Sequence, residues 1–418
     1  MQQSSVVPTP TIRSFDRGST GPDPSTPSGT VLLCFSHLRW GFVWQRPQHL
    51  LTRAARQATV LYVEEPVFRP GVEPHVETFV QPSGVRVILP VLPDGLGSLA
   101  VDGVQQELVK ELLAEHQPER LILWYYTPMA MAFSADIPAD VVVYDNMDEL
   151  SAFRGASPEM LANEADLFAR ADLVFTGGRS LYEAKRARHP SVHFFPSSIE
   201  FAHFAKARDG SLAEPADLAD IPHPRLGFVG VIDERMDLSI VAGMAKSRPG
   251  WQFVMVGPVV KIDPATIPQA ANIHWLGSRE YNDLPAYMAG WDVALMPFAI
   301  NEATRFISPT KTPEYLSAGL PVVSSPVADV VTPYGDLGFV QLANTPAAFV
   351  AAAERLLDGR TERRLSEVDA FLARGSWEAT WAAMQGLMDA GTRGRANRTG
   401  GAQQSTLASG GLAAIAAE

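Results

Sequence analysis

One cysteine, Cys34, stands among 418 residues, so no disulfide framework is available and a reducing compartment fits. No apolar run reaches the length of about eighteen residues that a membrane-spanning helix needs. The first residues, Met1-Gln2-Gln3-Ser4-Ser5, lack the basic start and apolar stretch of a signal peptide. No Lys/Arg block offsets the formal net charge of −12, which argues against nucleic acid as a partner. Zinc-ligand spacing, a P-loop lysine signature, a GxSxG elbow and a GxGxxG fingerprint are all missing. The expected setting is cytoplasmic. Attachment at the inner face of a membrane stays open, although no strongly basic amphipathic helix is present to make it.

What is there is an ordinary globular composition, 46% hydrophobic and 19% charged, on a chain too long for one core. Between a Ser/Thr/Pro/Gly-rich start (1–28) and a Gly/Ala/Ser-rich end (394–418), both read as disordered tails, short apolar runs alternate with helical patterns. That alternation signals βαβ units and a mainly parallel sheet. Strands are expected near 31–36, 59–63, 85–89, 121–126, 141–144, 173–176 and 192–195. After a polar, proline-containing stretch the pattern restarts at 226–229, 253–256, 273–276, 293–296, 321–324 and 339–342. The natural solution is two doubly wound α/β domains, 29–207 and 208–375, followed by a helix at 376–393 that Ser376 caps. Cys34 falls in a buried strand and reads as inert core, and His274 as a satisfied strand histidine.

The densest signal is Ile307-Ser308-Pro309-Thr310-Lys311-Thr312-Pro313-Glu314, running on to Ala318-Gly319-Leu320-Pro321-Val322. It predicts a loop, a short helix, a tight turn and a buried strand. Lys311 and Glu314, three apart, share one helix face. Free N–H groups at the helix start together with Lys311 suit a diphosphate, and Glu314 is placed to accept hydrogen bonds from ribose hydroxyls. The combination points to a nucleotide. Strand-end loops carry the other candidates, because open α/β sheets bind ligands at the carboxyl ends of their strands. After the first strand stand His37, Arg39, Trp40, Trp44, Gln45 and Arg46, which suit stacking on and hydrogen bonding to a polar ligand. Asp145 ends the fifth strand, with no metal expected there. Gly230 lets backbone approach a phosphate, and Arg235 would meet its charge. Asn301 and Thr304 lie on the loop that enters the nucleotide site, with Glu302 a weaker candidate and Ser308 at its end.

These residues together resemble bacterial GT-B glycosyltransferases of the retaining family-4 type (glycosyltransferase group 1), in the polysaccharide or teichuronic-acid branch. The resemblance covers about residues 30 to 390. Its carriers are Phe35-Ser36-His37 with Trp44-Gln45-Arg46-Pro47-Gln48, Pro196-Ser197-Ser198-Ile199-Glu200 with Phe204, Gly230 and Arg235, and Ser308 to Lys311 with Glu314 and Gly319 to Val323. It implies two Rossmann-like domains facing across a cleft, with the last helix returning to the first. It implies a nucleotide-sugar donor on the second domain, held by Gly230, Arg235, Asn301, Thr304, Ser308, Lys311 and Glu314. A glycan or lipid-linked acceptor would lie on the first, with Arg39, Trp40, Trp44, Gln45 and Arg46 as contacts. His37 and Asp145 would touch the sugar or the acceptor hydroxyl, and neither cofactor nor metal is required. Many members carry two glutamates separated by seven residues. Here the second is Glu314 and Phe306 stands in the first position, so the first acidic residue is missing or its role has moved to Glu302 or to backbone donors. A nucleotide-sugar epimerase and a non-catalytic nucleotide-sugar-binding protein are the competing readings. The sequence leaves the oligomeric state open.

Overall fold

The structure is a computed structural model that describes residues 29–359 and 364–391. The two tails expected at 1–28 and 394–418, and the last two residues of the helix expected at 376–393, lie outside the described residues. The described chain divides into two compact units, one made of residues 29–143 with 391 and the other of Tyr144–Ala390.

In the first unit β1 (Thr30–Phe35), β2 (Thr59–Val63), β3 (Val67–Arg69), β4 (His75–Val80), β5 (Arg86–Pro93) and β6 (Arg120–Tyr125) follow one another. They form the order β3-β5-β2-β1-β6, all parallel, with β4 antiparallel on β5. β1 is an inner strand, between β2 and β6, and is buried from Val31 to Phe35, which explains its unbroken apolar run. Cys34 lies there with no exposed surface, as its sequence context predicts. Strands β3 and β4 escape sequence reading. β4 alternates polar and apolar residues (His-Val-Glu-Thr-Phe-Val) and is only half-buried, so it lacks the continuous apolar run that marks the inner strands.

Strand β7 (Val141–Asn146) carries the chain into the second unit, where β8 (Leu173–Thr176) and β9 (Val192–Phe194) follow beside it in that order. A second, wholly parallel sheet contains β10 (Arg225–Val229), β11 (Gln252–Val256), β12 (Ile273–Gly277), β13 (Val293–Met296), β14 (Val322–Ser324) and β15 (Val340–Leu342). Its order is β12-β11-β10-β13-β14-β15. Side chains alternate across it: Leu226, Phe228, Phe253, Met255, Val293 and Leu295 face one helical layer, and Val229, Val254, Val256, Ala294 and Met296 face the other. Both faces are therefore covered. Gly227 sits where a Cβ would lie 1.9 Å from the Trp291 ring, so only glycine lets that indole lie flat on the sheet. β12 is an edge strand and His274 on it is half-buried, 2.8 Å from Gln252 Oε1. It is satisfied as expected but is less enclosed than a core histidine.

The final helix runs over residues 377–391 with Trp377 and Met384 buried, and Ser376 Oγ accepts the Ala379 N–H at 3.1 Å. The cap read from the sequence is thus present. Among the described residues no helix is long and apolar enough to cross a membrane.

Candidate active site

In the second sheet the winding direction reverses between β10 and β13, so the loops at their carboxyl ends diverge and leave a crevice. The turn after β10 begins at Gly230, whose φ of +156° lies in the region that favours glycine. Its N–H donates to the Val256 carbonyl at 2.9 Å. Gly257 comes so close to it that a Cβ there would fall 1.8 Å from the Gly230 oxygen. Two glycines therefore let the turns after β10 and β11 touch.

That turn is tied to the loop after β13. Ala299 N–H donates to the Arg235 carbonyl at 2.8 Å, and Asn301 Nδ2 to the Glu234 carbonyl at 3.2 Å. Asn301 and Thr304 also cap each other reciprocally, Asn301 N–H to Thr304 Oγ1 at 3.0 Å and Thr304 N–H to Asn301 Oδ1 at 3.1 Å. Thr304 is buried. The polar atoms expected to meet a ligand instead shape the loop that delivers Ser308.

Helix Lys311–Ser317 follows, with six of its seven residues buried. Tyr315 anchors it to the end of β10, its hydroxyl accepting the Val229 N–H at 2.8 Å. It ends at Gly319, φ +77°, with the Leu320 N–H reaching back to the Tyr315 carbonyl at 3.0 Å, the tight turn that the sequence predicts. Lys311 Nζ lies 2.7 Å from Glu314 Oε2. The two residues expected to grip separate parts of a nucleotide thus hold each other. Burial pushes the Glu314 carboxyl above its usual range, and the charge and hydrogen bond of Lys311 offset this only in part. Arg235 makes a two-pronged contact with Asp233 (2.7 and 3.0 Å) and lies over the Phe153 ring. Phe306, at the position of the missing glutamate, is half-buried beneath the Arg305 guanidinium, and Glu302 is exposed, 3.6 Å from Arg305.

Two residues invisible to sequence reading lock this region. Asp329 accepts the N–H groups of Arg179 (2.8 Å) and Ser180 (2.9 Å) with its two oxygens. Gly178 sits between it and the loop that carries Ser308, where a Cβ would fall 2.3 Å from Asp329 Oδ2 and 2.7 Å from Ser308 Cβ. Only the glycine pair Gly177-Gly178 after β8 hints at this close approach.

In the first unit the loop after β1 is built on its own framework. Glu64 accepts from Arg39 Nη1 (2.9 Å) and from the Trp40 N–H (2.7 Å). Gln48 donates to the Trp40 carbonyl (2.8 Å) and accepts the Gln45 N–H (3.1 Å). Trp44 Nε1 lies 3.3 Å from His49 Nδ1, and its ring is 39% exposed. His37, Arg39 and Gln45 are half-buried. Trp40 is buried edge-on against Tyr62 rather than open for stacking, and two further candidates differ from expectation. Arg46, the first residue of helix Arg46–Ala54, is 1% exposed. Asp145, inside β7, has no exposed surface, since β7 runs one residue past it. Neither presents itself to a ligand. Gln48 and Glu64, which do most to hold the loop, were missed because a polar residue inside a helix or at a strand tip carries no distinctive spacing.

Residues 223–359 match the sequence profile of the family Glycosyl transferases group 1. Over 278 residues the chain is 25% identical to a Bacillus subtilis (strain 168) protein described as a teichuronic acid biosynthesis glycosyltransferase, TuaH, covering 61% of this chain and 68% of that protein. Among solved structures it is similar to sucrose-phosphate synthase (tll1590) from Thermosynechococcus elongatus, with TM-score 0.63 and 15% identity over 86% of this chain and 98% of that one. It is also similar to Anabaena Alr3699/HepE in complex with UDP and glucose, with TM-score 0.59 and 14% identity over 86% and 99%. Likeness at this level shows the fold, which is GT-B.

Proposed function

We propose that this glycosyltransferase, whose residues 223–359 form a glycosyl transferases group 1 domain, moves a sugar with retention from a nucleoside diphosphate sugar to a glycan or lipid-linked acceptor in cell-surface polysaccharide synthesis. Residues 208–375 hold the donor on this reading and residues 29–207 the acceptor. The single observation that supports it is the join at the switch point of the second sheet. Gly230, Arg235 and the loop leading to Lys311 and Glu314 are hydrogen-bonded into one rim there.

Each residue has a distinct part. Gly230 admits the donor's diphosphate close to the backbone. Lys311 leaves Glu314 for the diphosphate, and its charge, with the N–H groups beside it, grows in value as negative charge builds on the leaving group. Glu314 takes the ribose hydroxyls in exchange. Arg235, held flat by Asp233, adds a fixed positive charge at the rim. Ser308 is set by Gly178 and Asp329, while Asn301 and Thr304 fix the loop rather than touch the donor. His37, Arg39 and Trp44 face the acceptor. The transfer needs neither cofactor nor metal, and the enzyme works in the cytoplasm.

Incubation with UDP-, GDP- and dTDP-sugars, with and without a glycan acceptor, tests the reading. Nucleoside diphosphate release that depends on acceptor, with the anomeric configuration kept in the product, is expected. Sugar interconversion without release, or an inverted product, overturns it.

A further inference from the structure

The loops after β10 and β11 run on side by side past Gly230 and Gly257. Ile232 N–H donates to the Pro258 carbonyl at 2.9 Å, and Val260 N–H to the Ile232 carbonyl at 3.0 Å. Directly after this short ladder Lys261 turns with φ +60°, a left-handed conformation uncommon for a residue with a side chain. Its ammonium lies 5.6 Å from the centre of the Phe153 ring, and the Arg235 guanidinium lies over the same ring at 5.7 Å. Phe153 belongs to neither loop. It comes from the segment that follows β7, within the same compact unit.

The two cations are not equivalent. Arg235 gives Nε and Nη2 to Asp233, which leaves Nη1, and Asp148 and Glu234 add their negative charge around it. A guanidinium so surrounded is a poor anion seat by itself. Lys261 is exposed and joins no ion pair among the described residues. Its three N–H donors and Arg235 Nη1 are the groups here that an anion can take, and the Phe153 ring lies against both side chains. The ring's hold on them is modest, because a cation over an aromatic face gains less than a cation hydrogen-bonded to a phosphate. The segment that carries the ring is lightly anchored too. None of Leu150–Ala152 is buried, and the Phe153 and Ala156 N–H groups only close local turns, onto the Leu150 and Phe153 carbonyls. A segment with so few buried contacts opens at low cost.

We propose that Phe153 is a displaceable cover on the donor rim: its ring occupies Lys261 and Arg235 until a nucleotide's diphosphate takes both cations from it, and Lys261 is a donor contact that Arg235 alone cannot replace. The inference rests on the donor reading above. Donor binding and opening of the segment after β7 are then one event, because the same two cations serve the ring and the diphosphate in turn.

Hydrogen exchange read by mass spectrometry on the full chain, with and without saturating UDP, GDP or dTDP, tests it together with titration calorimetry on variants. Bound nucleotide is expected to speed exchange over residues 150–157 while slowing it over Lys311–Ser317, the opposite of what a purely structural segment would show. Phe153→Ala, with circular dichroism as in the wild type, is expected to bind the nucleoside diphosphate about 3- to 10-fold more tightly, and Lys261→Ala about tenfold more weakly. Should Phe153→Ala fail to fold, exchange in the wild-type chain decides. Nucleotide binding that leaves exchange over 150–157 unchanged or slower, a folded Phe153→Ala that binds no more tightly, or a Lys261→Ala that binds as the wild type does each overturns the inference alone. A wild-type chain that binds none of the three nucleotides overturns the donor reading, and this inference with it.

Discussion

Glu314→Gln separates ligand binding from stability, because each depends on a different property of one carboxylate. Glu314 is 7% exposed, and its pKa is raised, chiefly by burial, against the partial offset of Lys311. A group with a raised folded pKa contributes stability that is fully present below its unfolded pKa, about 4.3, and lost as pH rises through the folded value. Near neutral pH the charged form therefore burdens the fold, and the neutral isostere removes that burden. Lys311, whose side chain is one-fifth exposed, can turn to water. The Gln variant is expected to melt at or above the wild-type temperature near pH 7, with the difference shrinking towards about pH 4. Binding should move the other way. Replacing a charged acceptor of ribose hydroxyls by a neutral one costs about 1.5–3 kcal/mol, or about 10- to 150-fold in Kd for a nucleoside diphosphate. Lys311→Ala differs in kind: it strips the cation from a buried carboxylate and is expected to lose about 1–3 kcal/mol of stability as well as affinity. Scanning calorimetry across pH and titration calorimetry with UDP, GDP and dTDP measure both. Equal losses of stability in the two variants, or a Gln variant that binds each nucleotide as the wild type does, would refute the reasoning.

Gly257→Ala would place a Cβ 1.8 Å from the Gly230 oxygen at a φ of +141°, so a loss of about 3–5 kcal/mol is expected, read as a lower urea midpoint or as insoluble protein. Tyr315→Phe leaves the buried Val229 N–H without its 2.8 Å partner and should cost about 1–3 kcal/mol in denaturant unfolding; an unchanged midpoint would show that the helix is anchored otherwise. For Glu164, burial raises the carboxyl pKa but hydrogen bonds from Lys185 and Arg188 outweigh it, so the folded value is lowered. Its stabilising contribution is thus present above the unfolded pKa and lost as pH falls through the folded one; Glu164→Gln should flatten the acid limb of the stability profile and lower stability at neutral pH.

Period and composition determined the skeleton. Continuous apolar runs marked the inner strands because both sheet faces are covered, and Ser308 to Val323 marked a loop, helix, turn and strand because lysine, proline and glycine each constrain the backbone locally. β4 escaped because a half-buried strand on one side of a sheet alternates weakly. Only the tertiary structure decided what the polar side chains do. Asn301 and Thr304 carry ligand-like chemistry yet are consumed in a reciprocal cap, since a cap is set by a neighbour three residues away in a chosen conformation. Asp329 and Gly178 meet across 151 positions of chain, a distance that no local spacing encodes. Burial settled the rest: Arg46 and Asp145 have the right chemistry for a ligand, but the packing around them turned both inward.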